Sequence, residues 1–194
     1  CAGMDLSVEG NVFGLNESLS PSINQIQDDY NELEMVHGVR DTGGRVSLAI
    51  YECKKPVIGA INGAAVGVGA TMTLGMDIRL VSSRAKIGFV FGKIGITPEA
   101  CSTWFLPRIV GMQRALEWIY SADLLSPKEA KEGGLVRSIH EPEELLLEAK
   151  NLAKKFTKNR SQVSTALARQ MLYRNSAMPS PRAAHEVDSL SMFY

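Results

Sequence analysis

Two stretches of the sequence carry residues arranged for chemistry. In Asn62-Gly63-Ala64-Ala65-Val66-Gly67-Val68-Gly69-Ala70, small residues follow directly on an apolar run, and Thr71 to Leu74 continues small and apolar. A glycine turn that opens a helix leaves backbone N–H groups bare, and bare amides bind anionic oxygen. Phosphate patterns fail here: no Lys followed by Ser or Thr comes after the glycines, and Gly67-Val68-Gly69-Ala70-Thr71-Met72 lacks the third glycine of a dinucleotide fingerprint. Two readings stay open, a turn that only packs closely or amides that form half of an oxyanion hole. Cys1-Ala2-Gly3-Met4-Asp5-Leu6 is a candidate for the other half, because small residues let a ligand approach the main chain. The second stretch is Ile96-Thr97-Pro98-Glu99-Ala100-Cys101-Ser102. Glu99 is there either as an acid–base group or as a first-turn carboxylate favoured by the helix dipole.

Other reactive types offer less. Cys101 sits near a helix start, which lowers a thiol pKa, but no base follows at useful spacing, so a small core cysteine is the default. His37, His140 and His185 form no HxxxH or HExxH pair, and no metal site is expected. Asp5 and Asp77 read as turn anchors. Trp104, Phe105 and Trp118 read as core or subunit contacts at helical spacing. Lys54, Lys55 and Lys93 could meet phosphates but are left outside the site.

The elements that must hold these residues alternate. A Gly-, Asn- and Ser-rich loop is expected from Val8 to Ile26, then helical spacing from Asp28 to Cys53, interrupted at Gly43 and Gly44. A buried strand ends at Ile61, a glycine turn follows, and a packed helix runs through Leu74. Strands are expected at Ile78 to Val81, around Ile87 to Phe89, and at Leu135 to Ile139. Helices are expected from Ala100 to Leu106, from Gly111 to Tyr120, and after Ser126, where Ser-Pro-Lys-Glu is a capping box with proline in the first turn. Pro142 to Phe156, Ser161 to Asn175 and Pro181 to Tyr194 close the chain as amphipathic segments. The expectation is an α/β layered core with a helical tail.

Composition bounds the function. The chain has 194 residues, with 21 Lys plus Arg against 21 Asp plus Glu, which argues against a dedicated nucleic-acid binder. The balance conceals a division: residues 1–53 hold nine acidic and two basic residues, and the later part carries the compensating basic excess. A phosphate-bearing small ligand on that part is compatible with it. No apolar run is long enough to span a bilayer, so no membrane insertion is expected. Three cysteines without CxxC spacing point to a reducing, cytoplasmic setting.

CAGMDL, KKPVIGAINGAAVGVGA, Asp77-Ile78-Arg79 and FGKIGITPEACSTWFLPRIVG, in this order, resemble the crotonase family, the enoyl-CoA hydratase/isomerase superfamily. The likeness covers residues 1 to about 140. It implies an α/β spiral of ββα units over residues 1–140 and a helical trimerisation region over residues 141–194. It implies an acyl-CoA thioester as substrate, no separate cofactor, and a homotrimer or a hexamer built as a dimer of trimers. Strands should precede CAGMDL in such a fold, and helices should continue past Tyr194, so the expectation is a chain incomplete at both ends. The resemblance also implies that the thioester oxygen is held by the main-chain amides of Met4 and Val68. Losing one such donor typically costs about 3 kcal/mol of transition-state stabilisation.

Hydratases of this family use two glutamates, whose positions fall here at Thr71 and near Phe91. Neither residue is acidic. Glu99 instead matches the position of the single acid of Δ3,Δ2-enoyl-CoA isomerases. A 1,3 proton shift needs one base, which works best if an apolar pocket raises its pKa toward neutrality. Thr71, Phe91 and Trp104 are the expected pocket residues. The resemblance thus implies isomerisation of a 3-enoyl-CoA to the 2-enoyl-CoA. Alternatives are hydration, hydrolysis or racemisation by a related enzyme of acyl-CoA catabolism, and a non-catalytic acyl-CoA-binding protein.

Overall fold

The computed structural model describes residues 1–5, 7 and 11–193. Leu6 of the opening motif, residues 8–10 of the expected loop and Tyr194 at the end of the last expected helix lie outside the described residues.

Two small sheets build the core. Strands β1 (Ile58–Ile61), β3 (Ile78–Ser82) and β6 (Ser138–His140) lie in that order and are all parallel. Strands β2 (Ala64–Val66), β4 (Lys86–Gly88) and β5 (Leu124–Leu125) form the second sheet, with β2 parallel to β4 and β5 antiparallel to it. Strands β1 to β4 therefore alternate between the sheets, β5 stays in the second, and β6 returns to the first. Ile58 lies opposite Ile78 and Ala64 opposite Lys86, so one ββα turn of the chain stacks on the next. Parallel pairing demands a crossover, and helix α4 (Val68–Leu74) is part of it. The expected spiral of ββα units is present.

Apolar burial between these layers holds the spiral. Leu74, Ile87, Phe89, Phe91 and Leu106 are fully buried, and Trp118 stacks on Phe89 with ring centroids 6.4 Å apart. Phe105 and Leu106 come from α5 (Ser102–Val110), Trp118 from α6 (Met112–Ser121), and Ala130 from α7 (Pro127–Glu132). The capping box at Ser126 and Glu129 forms as its sequence dictates. Helix α8 (Pro142–Thr157) buries Leu145 and Leu152 against Leu80. Helices α9 (Gln162–Asn175) and α10 (Pro181–Ser191) follow. Among the described residues no helix is long and apolar enough to cross a membrane.

The N-terminal part departs from the sequence reading. A short helix α1 (Ile23–Asp28), capped by Ser22 and Gln25, begins inside the expected loop. Next come α2 (Leu33–Gly38) and α3 (Thr42–Glu52). The interruption falls before Thr42, and Gly43 and Gly44 lie within the first turn of α3. The reason is Asp41, whose carboxylate accepts the Gly44 N–H and caps the helix there. Strand β2 was hidden in the glycine turn, and β5, only two residues long, has too little sequence to show alternation.

Candidate active site

The glycine turn is built for close approach. Gly67 caps α4 at φ +56°, a conformation natural to glycine. The first residues run alongside β2: the Cys1 amino group donates to the Ala64 carbonyl at 2.8 Å, and the Val66 N–H donates to the Cys1 carbonyl at 3.0 Å. A Cβ on Gly69 would lie 2.0 Å from that Cys1 carbonyl, so only glycine admits the contact. A Cβ on Gly67 would lie 3.8 Å from the Gly3 Cα, which brings the two glycine segments side by side. Met4 and Val68 each follow one of these glycines. Neither of their N–H groups donates to an acceptor among the described residues.

Glu99 faces the same helix start. Its Oε1 accepts a hydrogen bond from the Thr71 hydroxyl at 2.9 Å, and Thr71, on α4, is completely buried. Gly43 of α3 closes the other side. A Cβ there would lie 2.2 Å from Glu99 Oε2, 3.0 Å from Val68 Cγ2 and 3.2 Å from the Ala100 Cβ. Gly43 is thus the point at which the carboxylate and the Val68 side chain meet. The residues after Glu99 are bent sharply, since Ala100 (φ +56°) and Cys101 (φ +59°) are consecutive left-handed, non-glycine residues. Each costs of order 1–3 kcal/mol and persists only where the surroundings impose it. One oxygen of Asp41 accepts the Ala100 N–H at 3.2 Å as well as the Gly44 N–H.

This environment sets the charge of Glu99. Burial raises its pKa, the Thr71 hydrogen bond works against that rise, and the neighbouring Asp41 carboxylate adds to it. Cys101 is also pushed up, by burial and then by the Asp41 and Glu99 charges, with Arg40 opposing. The helix start therefore does not make Cys101 a low-pKa thiol, because its surroundings are apolar and acidic.

The expected pocket residues separate. Thr71 lies at Glu99. Phe91 is 2 % exposed and belongs to the hydrophobic core, in a single 3-10 turn after β4, so its ring is packing rather than an open pocket wall. Trp104 meets Tyr51 edge-on at 5.8 Å and carries Arg108 over its ring at 4.0 Å. It lines a separate cavity of about 510 Å³ with Arg79, Phe156, Leu172 and Tyr173, which does not include Glu99, Met4 or Val68. That larger cavity is mostly apolar, and the carboxylate is not among its lining residues. A smaller one of about 240 Å³ is lined by Tyr30, Arg40, Asp41, Arg45 and Cys101.

Three anchoring groups were not singled out in the sequence. Asp41 was legible only as a helix cap. Arg169, with 4 % of its side chain exposed, donates to Asp77 at 2.9 Å and to the Ile50, Tyr51 and Cys53 carbonyls. Tyr173 also donates to Asp77, and burial with that negative neighbour pushes its phenol up to about 12. Asp77 accepts the Val57 N–H too, so it anchors a turn as expected and also locks α9 to the core. Lys93 forms an exposed ion pair with Asp123. Among the described residues no cluster of three or more His, Cys, Asp or Glu could hold a metal.

The profile of the enoyl-CoA hydratase/isomerase family matches residues 24–192. Enoyl-CoA hydratase ACTT3 of Alternaria alternata is 40% identical over 156 residues, which are 79% of this chain and 52% of that protein. The chain spans about half the length of these curated relatives. Hydratase is the commonest name among those relatives. The crystal structure of an enoyl-CoA hydratase from Bacillus anthracis superposes with a TM-score of 0.73 at 27% identity, covering 86% of this chain and 64% of that one. A monofunctional enoyl-CoA isomerase from M. smegmatis superposes with a TM-score of 0.67 at 27% identity, covering 74% and 67%. With its spiral of ββα units and a profile match over most of its length, the chain belongs to the enoyl-CoA hydratase/isomerase family.

Proposed function

We propose that this chain carries the active site of an acyl-CoA isomerase, with Glu99 as its single acid–base group. The observation that carries the reading is the Glu99 carboxylate, half-buried, raised in pKa and set against Gly43 and Val68. A carboxylate base with a raised pKa binds the abstracted proton more tightly than an ordinary one. Glu99 takes a proton from C2 of a 3-enoyl-CoA, and the released electron pair moves onto the thioester oxygen. The Met4 and Val68 N–H groups hold that oxygen as charge develops. The protonated Glu99 then delivers the proton to C4, and the double bond becomes C2–C3. Thr71 carries no proton through the cycle; its hydroxyl holds the carboxylate in place. Coenzyme A enters as part of the substrate. Assembly into a trimer or hexamer accompanies this reading, supported by exposed Leu172 on α9 and Leu190 on α10.

Hydration of a 2-enoyl-CoA is the second reading. It is favoured by the names of the relatives and by Asp41, a second carboxylate next to Glu99. Against it, Asp41 already accepts two backbone N–H groups. Mass analysis of product from the purified protein separates the readings. Isomerisation of a 3-enoyl-CoA leaves the mass unchanged, whereas hydration adds water. Calorimetric binding of acyl-CoA without turnover of either substrate would instead make the chain a binding protein.

A further inference from the structure

Asp41 occupies an unusual place in this site. It precedes α3, yet one of its oxygens accepts both the Gly44 N–H of its own helix and the Ala100 N–H of a segment 59 residues away. Capping α3 needs only the first bond, and an ordinary cap contributes about 1 kcal/mol. The second bond holds the start of the Ala100–Cys101 pair, whose left-handed backbone needs an outside constraint. Glu99 immediately precedes that pair. Its carboxylate therefore rests on Gly43 because α3 and the Ala100 segment are tied at Asp41, and on Thr71 because α4 packs against α3.

We propose that Asp41 is the positioning residue of Glu99: it joins the N-terminus of α3 to the Ala100 amide and stands as a fixed negative neighbour of the Glu99 carboxylate. The groups facing Glu99 can be named element by element. From α3 and the link before it come Asp41 and the neutral Gly43, with Arg40 acting on the adjacent Cys101. From α4 comes the Thr71 hydroxyl, and from its own segment the Cys101 thiol. Asp41 is the acidic group in this set that acts on Glu99, and it favours the protonated acid. Burial acts in the same direction and Thr71 in the opposite one.

The proposal rests on Glu99 as the base, so its test reads Glu99 directly and not through turnover. D41N keeps an oxygen acceptor and a good helix cap but removes the charge. D41S keeps the cap with a side chain too short to reach Ala100. In protein labelled with carbon-13 at glutamate carboxyls, the Glu99 resonance is assigned by its loss in E99Q and followed against pH. The expected result is a lower Glu99 midpoint in D41N and D41S than in the wild type. Ala100 amide exchange should rise at least about tenfold in D41S and stay near the wild-type rate in D41N. A wild-type midpoint in D41N, or unchanged Ala100 exchange in D41S, overturns the proposal and leaves Asp41 as a simple cap. Both readouts stand whether or not a 3-enoyl-CoA is turned over, so failure of the isomerase reading is seen separately.

Discussion

Thr71 donates its hydroxyl hydrogen to Glu99 Oε1 at 2.9 Å from a completely buried position on α4. The carboxylate is therefore held by a neutral, non-titrating group. Two opposed effects meet there: burial resists ionisation of Glu99, and the Thr71 hydrogen bond favours it.

Thr71→Val keeps the buried volume close to constant and removes the donor. Glu99 then loses the group that opposes its raised pKa, so the acid limb of the rate profile moves to higher pH. On the isomerase reading, kcat/KM should fall most on the acid limb and recover toward the wild-type value on the alkaline side, with Thr71→Ser restoring the profile. A pH–rate series on the three proteins checks this. An unshifted acid limb in Thr71→Val would show that the hydrogen bond has no bearing on the base.

Glu99→Gln separates activity from stability. If Glu99 is the general base proposed above, its removal costs about 10²–10⁴ in rate. Stability should move the other way. The folded pKa of Glu99 lies above its ordinary value, so between the two the native state binds more proton than the unfolded chain, and wild-type stability declines as pH rises through that window. Gln does not ionise and escapes that decline. Thermal melts should place Glu99→Gln at or above the wild type at about pH 7, with the difference gone below about pH 4, where both states of the wild type are protonated. A variant less stable at neutral pH than at acid pH, relative to wild type, would contradict the raised pKa.

Gly43→Ala sets helix propensity against the site. Alanine in a helix gains about 1 kcal/mol over glycine, but here its Cβ would lie 2.2 Å from Glu99 Oε2. A carboxylate at the end of a side chain moves away cheaply, so the fold should survive with Tm near the wild-type value. On the isomerase reading, kcat should drop at least about tenfold, since small misplacements of a catalytic group carry large rate penalties. Steady-state kinetics and a thermal melt on the same preparation decide it, and a fully active Gly43→Ala would place the working carboxylate elsewhere.

Arg169→Ala tests the lock between α9 and the core. The substitution leaves Asp77 without its ion-pair partner and takes the guanidinium from the Ile50, Tyr51 and Cys53 carbonyls, which keep only the Cys53 N–H and the Gln170 amide as donors. Breaking a buried pair from one side typically costs about 3–5 kcal/mol. Urea unfolding should register a loss of that size. A change below about 1 kcal/mol would mean that water replaces the guanidinium without penalty.

The four motifs at CAGMDL, the glycine turn, Asp77-Ile78-Arg79 and TPEA were legible because each is local. Glycines at Gly67 and Gly69, proline before Glu99 and the capping box at Ser126 act on their immediate neighbours, and the chain spells them in order. The same locality explains what was misread. Gly43 and Gly44 read as helix breakers by propensity, whereas Asp41 caps the helix in which they sit. Phe91 read as a pocket wall from its place in the motif, yet its ring lies in the core. Trp104 sits five residues after Glu99 and faces Tyr51 instead.

What the sequence by itself determined was the inventory: alternating strands and helices, a bare glycine turn and one carboxylate after a proline. Tertiary structure alone decided the neighbours of that carboxylate. Thr71, Gly43 and Asp41 come to Glu99 from 28 to 58 residues away, through the packing of α3 on α4 and the tie at Ala100. Such contacts depend on which helix face is buried and on where a strained backbone is held. Charge and burial act through space, so the pKa of Glu99 belongs to the fold and not to the order of residues along the chain.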